Sequence, residues 1–201
     1  VSPASPRLRA EALTVCRGRR VIVEGFDLDH RPGTVAWLVG ENGGGKTTLL
    51  RVLAGLDRPA AGTVHHGGEG GPAPGRSYYH PDMRLPPGTR VSEWQAMVAR
   101  LGLPEREIPG LTPPFAKLAV TAEQLSTGEE KRLILDAILS NGRDHVFLDE
   151  PFEHLSREGK EILAERLGRL ARTRVVVVAT NQAVPEELTG GPVVRLVPGD
   201  G

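Results

Sequence analysis

Residues 40 to 48 read Gly-Glu-Asn-Gly-Gly-Gly-Lys-Thr-Thr, and no other feature constrains the fold so tightly. Gly40, four residues, then Gly45, Lys46 and Thr47 is the spacing of a loop that cradles phosphate. The preceding Thr34-Val-Ala-Trp-Leu-Val39 reads as a buried strand. The following Thr47-Thr-Leu-Leu-Arg-Val-Leu-Ala54 has helical apolar spacing and stops at Gly55, a natural C-terminal cap. Phosphates bind where glycine-freed N–H groups and a helix N-terminus converge. In that setting Lys46 is expected on the β- and γ-phosphates and the Thr47 hydroxyl on Mg²⁺.

Bulk properties narrow the remaining options. A chain of 201 residues can bury a full core and is expected to form one compact domain. Its formal net charge of zero gives no electrostatic footprint for nucleic acid. Lysine occurs only at 46, 117, 131 and 160, which sets the loop lysine apart. The single Cys16 excludes an internal disulfide and fits a reducing compartment. No apolar run approaches the ~20 residues that cross a bilayer. The expectation is a cytoplasmic chain that reaches a membrane only through a partner.

Residues 8 to 30 alternate apolar and polar around Arg17-Gly-Arg-Arg20, as half-buried antiparallel strands joined by a turn do. A short strand is expected at Thr63-Val-His65, running into a glycine-rich connection from Gly67 to Gly75. His65 and His66 are adjacent, so a strand points them to opposite faces and away from a shared metal. A helix is expected from Val91 to Leu103, capped by Ser92, with Trp94, Met97, Val98 and Leu101 as its stripe. Pro104, Pro109, Pro113 and Pro114 prevent a long helix beyond it. Helix and strand then alternate: about Glu129–Ser140, His145–Leu148, about Ser156–Ala171 and Arg174–Ala179. This alternation, with the unbroken run Val175–Val178, predicts an α/β fold around a largely parallel sheet.

Two further motifs bear chemistry. Val146-Phe-Leu-Asp149-Glu150-Pro151 ends a buried strand with two carboxylates, where parallel sheets hold their ligands. Asp149 is suited to Mg²⁺ and Glu150 to polarising an attacking water. Leu125-Ser126-Thr127-Gly128-Glu129 reads as a capping box between Ser126 and Glu129 at a helix start suited to an anion.

With these motifs in order, the chain resembles an ATP-binding cassette (ABC) ATPase subunit across about Leu8 to Val197. The Walker A loop, a Leu-Ser-Gly-Gly-Gln-like signature and the Walker B Asp-Glu-Pro are all represented. The short length, Asp-Glu-Pro-Phe at 149–152 and Thr180-Asn-Gln182 resemble the small haem-exporter ATPases of cytochrome c maturation. The resemblance implies a P-loop NTPase core with an antiparallel β lobe and an abbreviated helical lobe. Residues 1–201 would form one nucleotide-binding domain: 8–75 the antiparallel lobe plus Walker A, 80–128 the helical lobe and signature, and 129–201 the core with Walker B. It implies that Gly40, Glu41, Asn42, Gly43, Gly44, Gly45, Lys46, Thr47 and Thr48 bind the nucleotide. Thr47 and Asp149 would serve Mg²⁺, and Glu150 and Asn181 catalysis. Ser126, Thr127, Gly128 and Glu129 would clasp ATP bound to the other subunit of a head-to-tail homodimer or heterodimer. The partner would be a transmembrane transporter subunit, holding the chain at the inner membrane.

The sequence departs from the family pattern at five places. Asn181 stands where a histidine usually contacts the γ-phosphate; it can donate a hydrogen bond but cannot carry a proton away. The glutamine expected near residues 80–82 is replaced by His80, Pro81 and Asp82, of which Asp82 is able to approach Mg²⁺ or to repel the triphosphate. No aromatic falls between residues 10 and 20 to stack on adenine, leaving Arg17 as a substitute or as a turn residue. Thr127 and Glu129 replace a glycine and a glutamine of the signature, and His154 is unusual in the contact loop after Asp-Glu-Pro. Three functions follow: an ATPase that powers a transporter, a slow nucleotide-gated regulatory subunit, or a soluble ABC protein of DNA repair or translation. The last usually carries a long insertion or a tandem cassette, which this chain lacks.

Overall fold

In a computed structural model, residues 5–67, 75–100 and 120–196 are described. β1 (Leu8–Arg17) and β2 (Arg20–His30) form the expected hairpin, and β4 (Ala61–His66) pairs on the other side of β1. This antiparallel sheet has the order β2-β1-β4. The second sheet is parallel throughout, in the order β5-β6-β7-β3-β8. Its members are β3 (Val35–Gly40), β5 (Arg76–Tyr79), β6 (His145–Asp149), β7 (Val175–Thr180) and β8 (Val193–Leu196). The α/β class expected from the alternation of elements is the one found.

Every residue of β6 and β7 is buried, because helices cover one face and a helix plus the antiparallel lobe cover the other. Alternation along β7 makes the division visible. Val176 and Val178 face Trp37, Leu133 and Leu167, beside α3 (Thr127–Leu139) and α4 (Arg157–Ala171). Val175, Val177 and Ala179 face Leu49, Leu53, Leu8 and Leu13, beside α1 (Lys46–Leu53) and the lobe. The phosphate-loop helix is therefore clamped between the two sheets.

Several expectations shift at their edges. α2 (Val91–Arg100) starts at Val91 as expected, but Ser92 lies inside its first turn instead of capping it. The bridge between Arg90 and Thr121 and the bond from Val91 N–H to the Val120 carbonyl set that start. Trp94 turns inward and donates to the Leu133 carbonyl at 3.2 Å, whereas Met97, expected in the apolar stripe, is 45% exposed. β5 and β8 have no counterpart in the expected elements. The end of the Val91–Leu103 helix, the proline-broken stretch at 104–114 and most of the glycine-rich connection lie outside the described residues.

Candidate functional site

All five parallel strands deliver their C-terminal ends to one edge of the sheet, and the expected chemical groups gather there. β3 ends at Gly40, beside which β8 passes so closely that a Cβ would run into the Leu196 carbonyl oxygen. The loop folds back through a bond from Gly44 N–H to the Glu41 carbonyl at 3.2 Å. At the helix start Gly45 has φ 95°, a left-handed conformation that disfavours any side chain. No side chain caps α1, so its first N–H groups remain free for an anion.

Lys46 is only 5% exposed. Its Nζ donates to the Gly40 carbonyl at 2.9 Å and the Glu41 carbonyl at 3.1 Å, and pairs with Glu150 Oε1 at 3.2 Å. Glu150 follows β6 with φ 45°, a strained turn for a non-glycine residue, held by its N–H bond to the Ala179 carbonyl at 2.8 Å. Glu150 Oε2 accepts from Asn181 N–H at 3.0 Å. Asn181 Nδ2 in turn donates to Asn42 Oδ1 at 2.9 Å. Four expected site residues from three loops thus form one connected set. Phe152 stacks near Trp37, with ring centroids 6.3 Å apart, and anchors the turn after Glu150 to β3.

Asp149, at the end of β6, is 1% exposed, and neither of its carboxylate oxygens has a full hydrogen-bond partner among the described residues. Burial raises its pKa, opposed first by the Thr47 hydroxyl and then by the neighbouring His80 and Lys46. A buried carboxylate without its donors is unfavourable unless a cation offsets it. Asp149 beside Thr47 is an all-oxygen pair that fits Mg²⁺ completed by phosphate oxygens and water.

At residues 80–82 the side chain nearest Asp149 is the histidine. The Asp82 side chain is 86% exposed. His80 stands between them, its Nε2 3.8 Å from Asp149 Oδ2 and its Nδ1 accepting from Asp82 N–H at 3.1 Å. In sequence the position stands out as a missing glutamine; the imidazole's place directly after a strand of the parallel sheet is its signal, which four-residue β5 is too short to declare. Arg17 is exposed at the end of β1, and Thr48 lies in the first turn of α1.

Ser126, Thr127, Gly128 and Glu129 form a second centre. Ser126 caps α3, taking Glu129 N–H on its hydroxyl at 3.3 Å, while Glu129 Oε2 accepts from Ser126 N–H at 2.8 Å. The capping box is complete as expected. Gly128 lies against the contact loop, where a Cβ would meet the His154 carbonyl at 3.0 Å, and His154 itself has φ 61°.

Comparison with known proteins agrees with this arrangement. Residues 23–153 match the family described as ABC transporter. The cytochrome c biogenesis ATP-binding export protein CcmA of Novosphingobium aromaticivorans is 36% identical over 172 residues, 85% of this chain and 86% of that protein. The Nod factor export ATP-binding protein I of Burkholderia thailandensis is 34% identical over 180 residues, 81% of this chain; the match spans only 58% of the relative's length. In fold the chain is similar to a putative ABC transporter ATP-binding protein from Pyrococcus furiosus, with a TM-score of 0.77 at 21% identity over 94% of this chain and 97% of that one. It is also similar to an ATP-binding cassette in a post-hydrolysis state with ADP and Pi, with a TM-score of 0.68 at 16% identity over 87% of this chain and 88% of that one. With a phosphate loop, an acidic strand end and a capped signature helix in one parallel-sheet framework, and relatives matched along most of its length, the chain belongs to the ABC transporter family.

Proposed function

We propose that this chain binds and hydrolyses ATP to energise a separate transmembrane transporter subunit, through ATP-driven head-to-tail dimerisation. The observation that carries the reading is the connected set Lys46, Glu150, Asn181 and Asn42 beside the buried Asp149. The phosphates of ATP would take the free N–H groups of α1 and draw Lys46 from Glu150. Glu150, still held by Asn181 N–H, would then accept the proton of the attacking water. That water forms the new bond to the γ-phosphorus as the bond to the β–γ bridging oxygen breaks, leaving ADP and phosphate. Asn181 would turn its Nδ2–H from Asn42 to the γ-phosphate. Thr47 and Asp149 would hold Mg²⁺, which supplies charge neutralisation at the phosphates when bound.

Ser126, Thr127, Gly128 and Glu129 would receive the γ-phosphate bound to the other subunit, homo- or heterodimeric, with Gly128 supplying backbone N–H at a helix start. Among the described residues no helix is long and apolar enough to cross a membrane, in line with membrane attachment at the cytoplasmic face through a partner. Both sets of relatives carry "export" in their names, which supports outward transport. A second reading, a slow nucleotide-gated subunit, is favoured by Asn181, whose amide cannot relay a proton. Steady-state phosphate release with ATP, compared between the wild type and Glu150→Gln, separates the two. Turnover abolished by the substitution supports the ATPase; ATP bound without turnover in either protein supports the gated subunit.

A further inference from the structure

We infer that His80 is a positioning residue for the metal-binding carboxylate, its Nε2–H directed at and orienting Asp149; this rests on the reading of the site as a Mg²⁺–nucleotide site. His80 follows β5, the edge strand beside β6, so its Cα sits level with Asp149 at the end of the sheet. Its Nδ1 accepts the Asp82 backbone N–H at 3.1 Å. A ring nitrogen that accepts an N–H carries no proton of its own. The proton therefore resides on Nε2, which faces Asp149 Oδ2 at 3.8 Å. That separation is longer than a formed hydrogen bond, so the group acts through the N–H dipole.

The carboxylate it faces needs such a neighbour. Asp149 is buried with no full hydrogen-bond donor on either oxygen among the described residues. Thr47 and His80 are both its neighbours. An N–H directed at Oδ2 leaves Oδ1 for a cation. Outer groups that orient a metal-binding carboxylate in this way control its affinity. The orientation of the ring depends on a backbone N–H, since the Asp82 carboxylate points to solvent, 3.6 Å from Nδ1. The identity of residue 82 is then immaterial, while that of residue 80 is not.

The test uses Mn²⁺ as the cation and ADP as the nucleotide, so that no turnover intervenes. Free Mn²⁺ is followed by electron paramagnetic resonance during titration of the full chain with ADP present. Removing the donor with His80→Ala should weaken Mn²⁺ binding roughly 10- to 100-fold, the range for loss of an outer-shell partner. ADP binding in EDTA should stay unchanged in the same variant. His80→Gln restores an N–H at similar reach and should recover most of the Mn²⁺ affinity, and Asp82→Ala should match the wild type. The inference is overturned by wild-type Mn²⁺ affinity in His80→Ala, by His80→Gln as weak as His80→Ala, or by weakened binding in Asp82→Ala. It is overturned equally by directly coordinated nitrogen in the electron spin echo spectrum of the wild-type complex, which would make His80 a ligand. A wild type that binds no Mn²⁺ with ADP present would instead sink the nucleotide-site reading itself.

Discussion

The two ends of the parallel sheet bury polar side chains for opposite reasons. At the N-terminal end, His145 donates through Nε2 to the Arg7 carbonyl at 3.0 Å, and His66 to the Leu53 carbonyl at 2.7 Å. Their rings meet edge to face at 5.4 Å, and Arg174 reaches the Leu139 carbonyl at 3.0 Å. Each of these groups ties one element to another, and the two histidines join the lobe to the core. At the C-terminal end, Lys46 and Glu150 neutralise each other while Asp149 is buried without full partners. Polar groups at the first end hold the fold together. Those at the second hold unfavourable charge that a bound ligand would offset, as a candidate binding site does and a polar core does not.

The largest effect expected is at Glu150. Glu150→Gln should lower steady-state phosphate release about 10²- to 10⁴-fold, the usual contribution of a general base, with ATP binding retained by calorimetry. Substantial remaining hydrolysis would take the base role from Glu150.

Lys46→Ala should reduce ATP affinity on the order of 10²- to 10³-fold, because losing one partner of a buried charge-assisted contact to a ligand costs about 2–5 kcal/mol of binding. Unchanged calorimetric affinity in the folded variant would remove the phosphate site.

Acid should weaken the histidine end. Burial lowers the His66 pKa to about 4 and also holds those of His145 and His30 below the usual value. The unfolded chain protonates these groups near pH 6.5 while the folded one resists. For His66, stability is therefore intact above pH 6.5 and falls as pH drops toward 4, by at most about 1.4 kcal/mol per pH unit. His66→Gln, which can still donate to the Leu53 carbonyl, should flatten the urea midpoint against pH over this window. An unaltered slope would deny the lobe–core tie its acid sensitivity.

Asp149 has the opposite sign. Its pKa is raised, so ionising it at neutral pH destabilises the nucleotide-free fold. Asp149→Asn should raise Tm by roughly 2–4 °C, as a gain of about 1 kcal/mol does in a chain of this size, while weakening metal binding. A lower Tm would mean that the carboxylate has stabilising partners.

The smallest effect concerns the base. Arg17 is exposed and no aromatic stands nearby in sequence, so ATP and GTP should bind within about tenfold of each other, one stacking contact being worth only ~0.5–2 kcal/mol. A hundredfold preference measured by calorimetry would reveal a base contact elsewhere.

Much of this was legible before the fold. The phosphate loop is a local backbone solution, so its glycines, lysine and threonines declare it in consecutive residues. The Ser126–Glu129 cap and the buried Val175–Val178 strand are equally local. β5 and β8 escaped because strands of four residues carry too little pattern, and their existence depends on the neighbours they pair with. The cap of α2 escaped for a similar reason, Ser92 being drawn inside the helix by the bridge between Arg90 and Thr121 just before it.

What the sequence by itself determined is the class of fold, the phosphate loop and the pair of acids at the end of β6, because each rests on short-range sterics, capping and periodicity. The tertiary structure decided which of these groups meet. It joined Asn42 to Asn181, turned Asp82 outward and set His80 beside Asp149. Those choices depend on strand order, and strand order follows from how two sheets and the helices between them bury their apolar faces together.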